Sequence, residues 1–199
     1  MNVSILAAGA QDRFGGDLPK GLSRVTSNDD PSDTIIGRLI AYRDCSVHIN
    51  LVVNIKNLSK FLGFKFNKKM LKWPRFYAGN TFVLGPSLSA AIQTYDGMHA
   101  NTIVLSADTV MTREVDQAVF CEFNTTFALF DPYKWITIEY VTDEDCLRYK
   151  QQALAWKGDR IEWISQFYSD IRLVRYEGWW NVNTLEDLDE ARDGLSRHE

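Results

Sequence analysis

Apolar positions along this chain fall into two rhythms. "NVSILAAG" (2–9) is a nearly unbroken apolar run that stops at Gly9, which predicts a short buried strand. Residues 34–45, "TIIGRLIAYRDC", place apolar side chains at 35, 36, 39 and 40, the spacing of a helix face. "INLVVNI" (49–55) is a β-branched run and predicts a second buried strand. "SLSAAIQTYD" (87–96) reads as a helix with Ser87 as its N-cap, and "NTIVLSADTV" (101–110) as a strand ending near Asp108. Later strands are predicted at 125–130, 135–142 and 171–176, with a helix at 143–156 that carries acidic residues in its first turn. The basic and aromatic stretch 56–80, which contains Pro74, resolves into no clear elements.

The C-terminal "NVNTLEDLDEAR" (181–192) predicts one more helix. Thr184 caps it, Asp187 stands at the third position of a capping box, and Leu185, Leu188, Ala191 and Leu195 form the apolar face. Alternating strands and helices predict an α/β fold, with βαβ units and a mostly parallel sheet. There is no repeat, low-complexity segment or linker, so residues 1–199 are expected to form a single domain.

Composition narrows the function classes. The net charge of -4 and the scattered basic residues argue against general nucleic-acid binding. The small basic cluster Lys65, Lys68, Lys69 and Lys72 reads as a solvated face. Cys45, Cys121 and Cys146 are too widely spaced for a disulfide framework, and neither they nor His48, His99 and His198 stand at zinc-ligand spacing. Neither a signal peptide nor a membrane span is expected, and the default setting is cytoplasmic.

The candidate chemistry begins in the loop after the first strand, "ILAAGAQDRFGGDLPKGL" (5–22). In open α/β sheets ligands sit beyond the carboxyl ends of the strands. Glycines there let backbone N–H groups approach phosphate oxygens. Arg13 can fork two donors onto a phosphate, and Lys20 can bring a point charge that Pro19 helps to aim. The loop is neither a P-loop nor a dinucleotide fingerprint, since it lacks both glycine spacings. The plain alternative is a surface loop with solvated charges.

"LAAGAQDRFGGDLPKGL" resembles the signature L-A-A-G-x-G-x-R-[ML]-…-P-K-x-L of the nucleotidyltransferase superfamily, which includes MobA-like enzymes, sugar-1-phosphate nucleotidyltransferases and phosphocholine cytidylyltransferases. The resemblance implies a three-layer Rossmann-like fold of the nucleotide-diphospho-sugar transferase type, with a mostly parallel mixed sheet. It also implies that Leu6, Ala7, Ala8, Gly9, Arg13 and Lys20 wrap the NTP. Gln11 and Asp12 depart from the small residues usual in the signature. "IVLSADTV" is similar to the family's strand that ends in a Mg²⁺-binding aspartate, which puts Asp108 in that role. "WWNVNTLEDL" is similar to the motif [DN]-[VI]-[DN]-T-P-E-D-L, with Leu185 for proline. It implies that Asn183 completes the metal site, with Asn181 a weaker candidate. "NTFVLGPSLSAAI" resembles the segment near the base in cytidylyltransferase-like members, which would bring Gly85 and Ser87 to the base or ribose and slightly favours CTP.

Together the resemblances imply Mg²⁺-dependent nucleotidyl transfer from an NTP to a phosphorylated small-molecule acceptor, a sugar phosphate or phospho-alcohol, with release of pyrophosphate. Arg13 and Lys20 would be the catalytic residues. The acceptor phosphate is already ionised at pH 7, so the reaction needs no protein nucleophile or base. Trp179 and Trp180, just before the Asn183 motif, are either packing residues or an aromatic wall for the acceptor. Two other functions are compatible with such a fold: a glycosyltransferase using a nucleotide-sugar donor, and a non-catalytic nucleotide-binding module. Asp108-Thr109-Val110 lacks the second carboxylate of a D-x-D motif, which counts against the glycosyltransferase.

Overall fold

The computed structural model describes residues 2–7, 14–15, 17–26, 33–41, 48–54, 57–63, 82–83, 102–121, 127–131, 134–142, 144–145, 151 and 172–198. The strands are β1 (Asn2–Ala7), β2 (His48–Asn54), β3 (Phe82–Val83), β4 (Thr102–Ser106), β5 (Thr109–Met111), β6 (Phe127–Asp131), β7 (Lys134–Val141), β8 (Arg172–Val174) and β9 (Trp179–Asn181). The helices are α1 (Ile35–Ala41), α2 (Leu58–Gly63), α3 (Arg113–Cys121) and α4 (Leu185–His198), with a single 3-10 turn at Lys20–Leu22.

Among the described residues, seven strands form one sheet in the order β3-β2-β1-β4-β7-β6-β8. β1 pairs in parallel with β2 and β4, β2 with β3, and β6 with β8. β7 is antiparallel to both of its neighbours, β4 and β6, and is the strand that makes the sheet mixed. The predicted α/β class with a mostly parallel mixed sheet is therefore what the chain adopts. The chain steps outward from β1 through β2 to β3 and then returns to β4 on the other side of β1. That reversal makes the carboxyl ends of β1 and β4 a topological switch point, where open α/β sheets bind ligands.

The β-branched runs are strands because both sheet faces need apolar cover. The register Val3↔Ile49, Ile5↔Leu51 and Ile5↔Leu105 lines up apolar side chains across three strands. Val3, Ile5, Leu51, Ile103 and Leu105 are buried with Ile36, Leu39 and Ile40 of α1, Phe61 of α2 and Val115 and Val119 of α3. α1 starts where Thr34 caps it: the Gly37 N–H donates to the buried Thr34 Oγ1 at 3.0 Å.

A second, smaller sheet pairs β5 with β9, in the register Thr109↔Asn181 and Val110↔Trp180. Its core joins Val110 and Val182 to Leu188, Ala191 and Leu195 of α4, and to Phe14, Val25 and Ile35. Leu185, expected on the apolar face of this helix, is instead 56% exposed. It is the first residue after the cap, and the buried stripe begins one turn later at Leu188.

The sequence reading did not foresee α2, α3 or β9. α3 carried a usable signal, since Thr112 caps it (Val115 N–H to Thr112 Oγ1, 3.3 Å) and Glu114 and Asp116 occupy its first turn. The helix expected at 87–96, and most of the one expected at 143–156, lie outside the described residues. Among the described residues, no helix is long and apolar enough to cross a membrane.

Candidate functional site

Three of the predicted site residues converge at the switch point. Lys20 Nζ lies 2.7 Å from Asp108 Oδ2 and donates to Asn183 Oδ1 at 3.3 Å. Lys20 and Asn183 are 163 positions apart in the chain. Each arrives by a separate local device.

Lys20 is aimed by the 3-10 turn that follows Pro19. Leu22 N–H donates to the Pro19 carbonyl at 2.7 Å, and Ser23 N–H to the Lys20 carbonyl at 2.9 Å. Gly21 allows the turn to lie close to β4. A Cβ at this position would stand 2.6 Å from Ile36 Cδ1 and 3.2 Å from the Ala107 carbonyl oxygen. A larger residue would push Lys20 away from the residue just before Asp108.

Asp108 sits where β4 breaks into β5. Ala107 N–H donates to the Leu6 carbonyl at 2.9 Å, so the break stays fastened to the end of β1. The Asp108 carbonyl accepts Val182 N–H at 2.8 Å, which fixes the chain just before Asn183 against it. Leu6 and Ala7 are at the carboxyl end of β1, facing Val52 and Val53 of β2 in the register, and Leu6 also faces Ser106.

Asn183 is held by the capping box predicted from sequence. Asp187 N–H donates to Thr184 Oγ1 at 3.2 Å, and Asp187 Oδ2 accepts Thr184 N–H at 2.8 Å. The same oxygen also accepts Asn183 N–H at 2.7 Å. This second role for Asp187 ties the cap of α4 directly to the site. Replacing Asp187 by alanine is expected to lower stability by about 1 kcal/mol through loss of the cap. The melting temperature, read by circular dichroism, should fall by roughly 2–4 °C. An unchanged melting temperature would contradict this reading of the cap.

Arg192 adds a link that the sequence did not announce. Its Nε donates to the Val25 carbonyl at 3.1 Å and its Nη2 to the Arg24 carbonyl at 2.8 Å. It thereby clamps the Asn183-bearing end of the chain to the segment that follows Lys20. In sequence only the helical Asp189–Arg192 pair is visible, which reads as an ordinary surface salt bridge.

The electrostatics centre on Asp108. Lys20 and Asp108 are mostly covered, with side chains 17% and 15% exposed. Asp108 Oδ1 is buried and has no hydrogen-bond partner among the described residues. A buried carboxylate oxygen left unmatched is costly, so such an atom marks a place where a further cation or donor fits. The donor set is one carboxylate and one amide oxygen, both hard ligands suited to Mg²⁺ when phosphates and water complete the shell. Among the described residues no group of three His, Cys, Asp or Glu side chains is placed to hold a metal. A metal held by Asp108 and Asn183 would complete its shell from other groups, such as substrate phosphates and water. The residues present fit Mg²⁺ on those terms.

Asn181, the weaker metal candidate, pairs across from Thr109, and its Oδ1 is also buried without a partner among the described residues. Trp179 is 4% exposed within the main core, and Trp180 packs on α4 against Gly194. Both tryptophans are thus packing residues, and the aromatic wall for an acceptor is not formed by Trp179. Ala8, Gly9, Arg13, Gly85 and Ser87, with Gln11 and Asp12, lie outside the described residues, as does the basic cluster at 65–72.

Solved structures share this architecture along nearly its whole length. CTP:phosphocholine cytidylyltransferase from Streptococcus pneumoniae superposes with a TM-score of 0.67 at 12% identity, over 96% of this chain and 97% of its own. A Bacillus anthracis protein assigned as a glucose-1-phosphate thymidylyltransferase gives 0.61 at 14% identity, over 97% and 96%. A UDP-glucose pyrophosphorylase gives 0.59 at 11% identity, over 100% and 99%. No protein-family profile matches the sequence, and no curated protein matches it. At these identities the likeness establishes the fold alone, which this chain shares with those three solved structures.

Proposed function

We propose that this chain is a Mg²⁺-dependent nucleotidyltransferase that joins an NTP to a phosphorylated small molecule and releases pyrophosphate. The observation that carries the reading is the meeting of Lys20, Asp108 and Asn183 at the carboxyl ends of β1 and β4. These residues come from three separate stretches that resemble three separate nucleotidyltransferase motifs. The shared fold supports the reaction class, and the neighbours' substrates point to a sugar phosphate or phosphocholine-like acceptor, as in nucleotide-sugar biosynthesis. The finer expectations belong to this proposal: a three-layer, single-domain arrangement over 1–199, a cytoplasmic setting and a slight preference for CTP.

In the proposed reaction a phosphate oxygen of the acceptor attacks the α-phosphorus of the NTP. The bond from the α-phosphorus to its bridging oxygen breaks, and pyrophosphate departs with the electron pair. The loop after β1 binds the triphosphate, with Arg13 and Lys20 offsetting the charge that builds on the departing pyrophosphate. Asp108 and Asn183 would hold the metal. Mg²⁺ held there supplies charge neutralisation for the phosphate oxygens. Positioning and electrostatics then account for the rate without a protein nucleophile.

The test is pyrophosphate release with Mg²⁺, each of the four NTPs and a panel of phosphorylated sugars and alcohols. Release that requires both substrates supports the proposal. An NTP-induced thermal shift without release on any acceptor would favour a non-catalytic nucleotide-binding module. The absence of both release and shift would refute nucleotide binding itself.

A further inference from the structure

We propose that Lys20 is a placeholder for the metal, so that the metal site opens only when a triphosphate arrives to take the lysine away. This rests on the nucleotidyltransferase reading of the same site. Lys20 Nζ lies 2.7 Å from Asp108 Oδ2 and donates to Asn183 Oδ1 at 3.3 Å. Those are the two side chains proposed to ligate Mg²⁺. A lysine that served only the phosphates would have no need to lie between the two metal ligands. Here its ammonium supplies the positive charge that the mostly covered Asp108 carboxylate requires in the absence of ligand.

The consequence is a coupling. A free divalent cation meets a site already neutralised by an ammonium, and like charges within a few ångströms repel strongly where water is scarce. A triphosphate carries several negative charges and draws Lys20 onto its oxygens, which uncovers Asp108 Oδ2 and Asn183 Oδ1 for the cation that travels with the nucleotide. By linkage, nucleotide must tighten metal binding by the same factor as metal tightens nucleotide binding. The flexible four-carbon stem of lysine suits such an exchange, and its backbone is tied into the 3-10 turn closed by Leu22 N–H on the Pro19 carbonyl.

The test is the binding of Mn²⁺ alone to the full chain, read by enhancement of water-proton relaxation. This readout distinguishes protein-bound Mn²⁺ from free Mn²⁺ and from Mn²⁺ on free nucleotide. Wild type should bind Mn²⁺ weakly. Lys20→Met should bind it at least about tenfold more tightly, and Lys20→Arg, which keeps a cation, should resemble wild type. Lys20→Gln provides a second neutral side chain if the methionine variant does not fold. Adding each of the four NTPs should recruit Mn²⁺ to wild type. If the neutral variants bind Mn²⁺ alone no better than wild type, within about twofold, while Mn²⁺ with an NTP still binds, the placeholder is refuted and the nucleotidyltransferase reading stands. If no Mn²⁺ reaches any of the proteins under any condition, both are refuted.

Discussion

Asp108→Ala is expected to lower pyrophosphate release by at least about 10²–10³-fold, the scale on which one preorganised electrostatic partner counts. Its thermal stability should hold or rise. Asp108 is mostly covered, and its Oδ1 has no partner among the described residues, so the folded protein bears the cost of an unmatched buried oxygen. Losing the ion pair with Lys20 works against that gain, but Lys20 keeps some access to water and can rehydrate. A residue retained at a cost to stability is what a working site contains, because a ligand supplies the missing partner. Turnover and melting temperature measured on the same preparation separate the two effects. A large fall in both together would show that Asp108 serves the fold and not the chemistry.

Gly194→Ala is expected to act in the opposite way, on stability alone. Glycine in the interior of a helix is ordinarily a liability, and alanine there should gain about 0.8–1 kcal/mol. In α4 the sign should reverse. A Cβ at Gly194 would overlap the Trp180 ring at Cζ2, Cε2 and Cη2, and an indole has no flexible end to yield. Overpacking of this kind costs roughly 1–3 kcal/mol. Each kilocalorie should lower the melting temperature by about 2–4 °C in a chain of this size. Trp180→Leu should weaken the effect of Gly194→Ala, since the two positions share one contact. A stabilised Gly194→Ala variant would refute the packing of Trp180 on α4.

The candidate site residues were named from the sequence because three short stretches resemble nucleotidyltransferase motifs, which the local chemistry of each stretch accommodates. Pro19 and Lys20 stand after a strand run and a glycine-bearing loop, Asp108 ends an apolar strand, and Thr184 with Asp187 spells a capping box. The strands nearest the site were legible because β1, β2 and β4 read as apolar runs, and Val3, Ile5, Leu51, Val53, Ile103 and Leu105 of those runs are buried. What stayed hidden depends on contacts between distant parts of the chain. Lys20 was expected on phosphate, and nothing in its neighbourhood in sequence announces a partner 88 positions away. Trp179-Trp180-Asn181 was not read as a strand because three residues carry no period, and β9 exists only because β5 is there to pair with it. Nothing in the sequence announces that Arg192 clamps the carbonyls of Arg24 and Val25. The fate of Leu185 was set by where the cap ends and the packed stripe begins, a boundary that helical periodicity alone does not locate.

The most direct test of the central claim follows the α-phosphorus. With an NTP labelled at that position, an acceptor found by the pyrophosphate screen and Mg²⁺, the label should appear in a diphosphate-bridged product that joins nucleotide to acceptor, in step with unlabelled pyrophosphate. Phosphorus NMR of the mixture should show the bridge forming as the acceptor monophosphate signal disappears. Label that remains in free nucleotide, or appears only as unlinked nucleoside monophosphate, would contradict nucleotidyl transfer. Consumption of a nucleotide-sugar with release of its nucleotide would identify a glycosyltransferase instead.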